Sequence, residues 1–296
     1  MDKIASPFPR ENDSLQMVGD RTTLDPDTGE MLLQIKDVGV SYGKGAQAKR
    51  IIAGLNFSVA RKEFICVVGP SGVGKTTLIR CIAGLQQPTT GSVELRGMTV
   101  KEPRDGVAFV SQDYSRSLMP WLKIRENVIL PLKGKGLDKS EMLERCDSAL
   151  AAVGLEHAHG HYPWELSGGM QQRVSMARAL AYKPDLLIMD EPFASVDAQT
   201  RAELEDLVLR LQHSTGLTTV LITHDIDTSI YMADRVLVLG GKPAALIDTV
   251  YTGLGAERDQ IATKSSKKFL EGRNRVLRGI KEAQGLSANS GPKHDA

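Results

Sequence analysis

Residues Gly69, Pro70, Ser71, Gly72, Val73, Gly74, Lys75 and Thr76 follow the spacing Gly-x-x-x-x-Gly-Lys-Ser/Thr, which suits a loop wrapped around phosphates. Gly72 and Gly74 carry no Cβ, so the backbone can curl close to an anion. Thr76, Thr77, Leu78 and Ile79 open a helix, whose free N–H groups and dipole favour negative charge. Lys75 is placed to reach the β- and γ-phosphates of a nucleotide, and the Thr76 hydroxyl to hold Mg²⁺. A second cluster, Asp190-Glu191, ends the apolar run Leu186 to Met189. Two acids at the carboxyl end of a buried strand sit where open α/β sheets bind ligands. Asp190 suits Mg²⁺ held through water. Glu191, one residue on, suits orienting or deprotonating the water that attacks the γ-phosphate. A third segment, Leu166-Ser167-Gly168-Gly169-Met170, offers a hydroxyl and backbone N–H groups to a phosphate. A Gly-rich turn and a pair of solvated carboxylates would be the bland alternatives. Strand, glycines, Lys-Thr and helix in one place favour nucleotide binding.

These residues need elements to hold them. Phe64 to Val68 is a short, β-branched apolar run that suits a buried parallel strand, ended by the turn signal Gly69-Pro70. Leu186 to Met189 reads the same way, and further strand-like runs are Leu32 to Val40, Gly106 to Val110, Thr219 to Ile222 and Val236 to Leu239. Between them the pattern turns helical. Asp138 with Glu141 makes a capping pair, Met142, Leu143, Cys146, Ala149, Leu150 and Val153 recur at helical spacing, and Gly154 stops the helix. This stripe is core. A second helix over 169–181 places Ser167 at its N-terminus, an anion site.

In this order the three clusters resemble those of the nucleotide-binding subunit of an ATP-binding-cassette (ABC) transporter, and the resemblance runs from about Leu32 to about Gly279. It implies an α/β fold: a P-loop NTPase core, the ABC ATPase, with an inserted helical subdomain and an antiparallel β region near the N-terminus. It implies ATP and Mg²⁺ as the bound groups. Tyr42 matches the aromatic that stacks on adenine, and Gln112 the Q-loop glutamine that senses Mg²⁺ and the membrane partner. Ser167, Gly168 and Gly169 match the signature loop, which binds the γ-phosphate held by the other subunit. Ser195-Val196-Asp197 matches the D-loop, with Val where the family more often has Leu. His224 matches the switch histidine that contacts the γ-phosphate. Glu191, His224 and Gln112 are thus the implied catalytic residues, and Thr76, Gln112 and Asp190 the implied metal set.

A finer resemblance is to the nitrate/sulfonate/taurine branch of ABC importers. Gln112 to Leu118 with Pro120-Trp121, Leu166 to Arg173, and the tail Arg258-Asp259-Gln260-Ile261-Ala262-Thr263 carry it. It implies an ATPase that powers uptake, with a second copy of the chain, integral-membrane permease subunits and, indirectly, an external solute-binding protein as partners. The chain would then lie at the cytoplasmic face of the inner membrane, peripheral through the permease. Leu118-Met119-Pro120-Trp121-Leu122 is unusually apolar for a loop. It suits docking on the permease or packing inside the helical insert, and both readings stand. Two other functions are carried alongside: a soluble ABC ATPase of DNA repair or translation, and a P-loop kinase or GTPase. The first usually has a coiled-coil insert or two cassettes in one chain, and the second lacks Leu-Ser-Gly-Gly.

Composition narrows the field further. The 296 residues are 41% hydrophobic, enough for a sizeable core, and the net charge of +1 gives no field that favours nucleic acid. Cys66, Cys81 and Cys146 are an odd number in apolar contexts and read as buried thiols in a reducing compartment. The first residues show no apolar secretory core, and no run of about 18 apolar residues could span a membrane. Residues 1–30 hold seven acidic and three basic residues without periodicity and read as a flexible extension. An ATPase domain is expected over 31–256, with its helical insert at about 115–181. A C-terminal helical extension follows over 257–284, where Phe269, Leu270, Val276, Leu277 and Ile280 fall near helical spacing and the face opposite is basic. Residues 285–296 read as a disordered tail.

Overall fold

The computed structural model describes residues 30–43, 45 and 48–288. The expected flexible extension lies outside them but for Glu30, as do residues 289–296 of the expected tail.

The run Phe64–Val68 is β3, fully buried, and it lies inside a six-stranded sheet. The sheet order is β10-β9-β3-β8-β7-β6, with β6 (Val107–Val110), β7 (Leu186–Asp190), β8 (Thr218–Ile222), β9 (Arg235–Gly240) and β10 (Ala245–Tyr251). All neighbours are parallel except the edge pair of β9 and β10. Burial without a break along β7, β8 and β9 is what a parallel sheet covered on both faces demands. The two-residue period of β3 divides the core. Phe64, Cys66 and Val68 join the cluster that includes Val174 and Met176, while Ile65 and Val67 join Leu78, Ile79 and the N-terminal sheet.

That N-terminal sheet is antiparallel, in the order β2-β1-β4-β5, from β1 (Met31–Tyr42), β2 (Lys49–Ala60), β4 (Thr90–Leu95) and β5 (Met98–Thr99). The sequence singled out none of β2. Register shifts between Ile35 and Val38 and at three other places break the pairing with β1, so neither strand keeps a clean alternation.

Helix α1 (Lys75–Ile82) follows the phosphate loop. Between β6 and β7 come α2 (Tyr114–Ser117), α3 (Ile124–Ile129), α4 (Lys139–Ala152) and α5 (Gly168–Ala181), which are the helical insert. In α4 the Asp138 carboxylate accepts from the Glu141 N–H at 2.8 Å, and Cys146, Ala149 and Leu150 are buried. The apolar loop before α3 is divided: Leu118 is 1% exposed and Trp121 is 70% exposed. Packing inside the insert therefore describes Leu118 and fails for Trp121. Helices α6 (Ala198–Thr215) and α7 (Ile226–Met232) flank β8 in sequence.

Helix α8 (Lys267–Ala288) includes residues 285–288, where the sequence reading expects a disordered tail. Phe269, Val276 and Ala283 are buried on its docked face, while Leu270 and Leu277, expected on the same stripe, are 44% and 37% exposed. Gly272 and Gly279 let the helix approach Ile230 and Val238. Arg275 grips Asp248 of β10 with two bonds of 2.8 and 2.7 Å. The three cysteines are buried and free. Burial pushes the Cys81 thiol up to about 11 and Cys146 to about 12, and holds Cys66 well above its ordinary value, so these are inert thiols. Among the described residues no helix is long and apolar enough to cross a membrane.

Candidate functional site

Strand order explains how residues distant in sequence meet. Strands β3, β8, β7 and β6 are consecutive neighbours in the sheet. Their carboxyl ends therefore deliver, side by side, the phosphate loop, His224, Asp190-Glu191 and Gln112. The result is a cleft of about 490 Å³ lined by Tyr42, Ser71, Gly72, Gly74, Lys75, Thr76, Thr77, Gln112, Asp190, Glu191 and His224. Ile51 of β2 and Ile222 complete it. No motif marked Ile51, since an isoleucine on an irregular strand looks like any core residue.

The phosphate loop is held from both sides. A Cβ on Gly69 would meet the Leu239 carbonyl oxygen of β9 at 2.4 Å, so the chain can pass there only as glycine. Gly74, at φ 114°, turns the chain into α1. The Lys75 ammonium donates to the carbonyls of Gly69 and Pro70 at 2.8 and 3.1 Å, which staples the loop across its own mouth. Gly69, Pro70 and Val73 thus shape the loop from behind and do not line the cleft. Burial lowers the Lys75 pKa, against the pull of Glu191 and Asp190. The Thr76 hydroxyl is hydrogen-bonded to the Asp190 carboxylate, whose pKa is raised by burial and then by Glu191.

Glu191 stands at φ 47°, a left-handed conformation that costs a non-glycine residue about 1–3 kcal/mol. Two contacts fix it. Its N–H donates to the Ile222 carbonyl at 2.9 Å, and its carboxylate Oε2 lies 2.9 Å from His224 Nδ1. The Glu191 side chain is 13% exposed, and the His224 ring is 71% exposed at the cleft's rim. Tyr42, at the end of β1, donates its hydroxyl to Gln86 at 2.8 Å, which leaves an aromatic ring half exposed beside the loop. Gln112 is exposed in the same cleft.

Ser167, Gly168, Gly169 and Asp197 are elsewhere. They line a second cleft of about 500 Å³ with Ser195, Val196 and Thr200. Ser167 caps α5, its Oγ accepting from the Met170 N–H at 3.3 Å. Asp197 caps α6, accepting from the N–H groups of Thr200 and Gln199 and from the Thr200 hydroxyl. The Thr200 N–H and hydroxyl hold this carboxyl below its ordinary range. The two caps are packed together, because a Cβ on Gly169 would lie 2.7 Å from Thr200 Cγ2. One chain therefore carries a loop, acids and histidine in one cleft and a separate pair of helix N-termini in another.

Comparison with known proteins gives the family. The ABC transporter family model matches residues 52–194. The nitrate import ATP-binding protein NrtD of Synechococcus elongatus is 44% identical over 201 residues, 67% of this chain and 73% of its own. The taurine import ATP-binding protein TauB of Escherichia coli O157:H7 is 36% identical over 257 residues, 85% of this chain and 98% of its own. Among solved structures, a dimeric post-hydrolysis state of an ATP-binding cassette bound to ADP and Pi superposes with a TM-score of 0.65 at 30% identity, covering 74% of this chain and 98% of that one. This chain is an ABC transporter ATP-binding protein. It is an ATPase, and its ATP hydrolysis energises transport. The P-loop kinase and the soluble repair or translation ATPase are set aside with that finding. The ABC ATPase's fold is the one the resemblance implied, with the helical insert between β6 and β7 and the antiparallel sheet at the N-terminus.

Proposed function

We propose that two copies of this chain pair head to tail, so that the Lys75 cleft of one closes on the Ser167 loop of the other. ATP held between them drives permease subunits that import a small solute of the nitrate, sulfonate or taurine kind. The single observation that carries this reading is the division of the site. Loop, acids and histidine share one cleft, and the Ser167-Gly168-Gly169 N-terminus with Asp197 lines another. Each would be half of a site completed by the second copy. The import direction and solute class are supported by the relatives named for nitrate and taurine import. An external solute-binding protein and a place at the cytoplasmic face of the inner membrane belong to the same reading.

Within the closed site, Tyr42 stacks on the adenine, and Gly72, Gly74, Thr77 and Lys75 hold the phosphates. Glu191 takes the proton of the attacking water, and His224, held by Glu191, contacts the γ-phosphate. The Thr76 hydroxyl and the Asp190 carboxylate, already bonded to each other, with exposed Gln112 at the same rim, are hard oxygen donors that fit Mg²⁺. Mg²⁺ binds through one or two carboxylates, water and substrate phosphates, so a three-acid cage is not needed. When bound it would neutralise charge on the β- and γ-oxygens.

Glu191→Gln tests the reading. It keeps the side chain's shape and its acceptor for His224 but removes the base, so ATP binding should persist, the closed dimer should accumulate, and hydrolysis should fall by about 10²–10⁴-fold. Turnover within about twofold of the parent would remove Glu191 from the role of base.

A further inference from the structure

The tail segment Arg258 to Thr263 touches neither cleft, yet it is tied down by more hydrogen bonds than a surface loop needs. It crosses α6 and α7 and is bonded to both. Gln260 Nε2 donates to the Ala202 carbonyl at 3.1 Å, to Glu205 at 3.2 Å and to Asp206 at 2.8 Å, all on α6. Lys264 pairs with Glu205 at 3.3 Å and stands 4.7 Å above the Tyr231 ring of α7. Arg258 donates to the Tyr231 carbonyl and to Asp234.

Beneath this strap, α6 and α7 are joined rung by rung. Arg201 pairs with Asp225 at 2.7 Å, the Thr228 hydroxyl donates to Glu205, and the Tyr231 hydroxyl donates to Asp206 at 2.7 Å. The upper rung is next to both clefts. Arg201 is one turn from Asp197, whose carbonyl accepts the Arg201 N–H at 2.9 Å. Asp225 caps α7 and follows His224 directly. The path from the second cleft to the first is thus one helical turn, one ion pair and one peptide bond. The middle of the ladder needs help. Glu205, 1% exposed, and Asp206 are adjacent carboxylates, and what α7 donates to them among the described residues are the neutral hydroxyls of Thr228 and Tyr231. A buried carboxylate without a compensating donor is strongly unfavourable. The Gln260 amide and the Lys264 ammonium supply the compensation.

We infer that α6 and α7 move as one body joining Asp197 to His224, and that Gln260 and Lys264 are the positioning residues that hold them together. The D-loop end of one composite site would then set the switch-histidine end of the other, within the same chain. This rests on the roles given above to Asp197 and His224.

The test uses the full chain as its dimer and the double variant Gln260→Ala/Lys264→Met, with exposed Lys267→Met as control. Steady-state ATPase should show kcat down by about tenfold with KM for ATP within about twofold, below the roughly 10²-fold that a 1 Å misplacement can cost. Amide hydrogen exchange should rise in α7 and the first turns of α6 while β3, β7 and β8 keep their protection. A folded double variant with unchanged kcat and unchanged α7 exchange overturns the inference. So does exchange raised uniformly over the chain, which would make the strap a general support. If the double variant does not fold, Lys264→Met alone is read by the same two measurements, since Gln260 keeps its three bonds. His224→Ala is measured beside them. If its kcat is unchanged, the role of His224 fails, and the α7 exchange result still decides whether the strap joins the helices.

Discussion

Trp121→Ala separates docking from packing, and the structure sets its size. Trp121 is 70% exposed, so only about a third of its surface is covered; with ~200 Å² for such a side chain and ~25 cal/mol per Å², truncation should cost at most about 1.5 kcal/mol. For a domain of this size that is a fall of roughly 3–6 °C in melting temperature. Leu118→Ala, three residues away and 1% exposed, is the contrast: a core truncation there should cost about 2–5 kcal/mol. If Trp121 anchors the permease, its loss should remove at least ~2 kcal/mol of binding, about thirtyfold in Kd. Two residues after Trp121, Lys123 approaches a stacked aromatic pair. Trp164, 63% exposed, stacks on Tyr162 with ring centres 4.5 Å apart, and the Lys123 ammonium stands 6.0 Å from the Tyr162 ring. The assay is melting temperature and permease co-purification on the same preparation. A folded Trp121→Ala chain that retains the permease in full would refute the anchor. A melting loss as large as that of Leu118→Ala would refute the surface bookkeeping.

Two further experiments have expected outcomes. A Ser167→Arg chain and a Lys75→Ala chain, each inactive alone, should regain about a quarter of the parent activity when mixed equally, since half the dimers would be mixed and each has one intact composite site. No recovery with mixed dimers confirmed would mean that each chain completes its own site. The bidentate grip of Arg275 lowers the Asp248 pKa below its ordinary value. A carboxylate with a depressed folded-state pKa contributes stability that is full above the unfolded value and is lost as pH falls through the folded one. Exchange of α8 amides should therefore rise only below the ordinary carboxylate range, and Asp248→Asn should remove that acid step; a step that persists in Asp248→Asn would clear Arg275 and Asp248 of it.

Much of the site could be read from the residues because its chemistry is local. A phosphate loop needs its glycines, lysine and threonine within eight positions, and a strand-end acid pair needs an apolar run just before it. Both signals survive whatever the rest of the chain does. The irregular β2, by contrast, has no period to read, because its register with β1 slips repeatedly and its buried positions do not alternate. The stripe on α8 was only partly legible for a related reason: Leu270 and Leu277 share a spacing with Phe269 and Val276, and only the position of α7 and β9 decides which face is covered.

The phosphate loop, the acid pair, the capped helix of the insert and the buried thiols follow from the residue order alone, since each is a contiguous pattern answering to a contiguous physical need. Tertiary structure decided everything that depends on strand order. Only the sequence β3-β8-β7-β6 across the sheet brings His224 to 2.9 Å from Glu191 and puts Gln112 at the same rim. Only the packing of Gly169 on Thr200 turns Ser167 and Asp197 into one cleft and keeps them out of the other. Whether Trp121 lies inside or outside was equally beyond the sequence. An apolar loop carries no period, and its exposure is set by its neighbours, which cover Leu118 and leave Trp121 open.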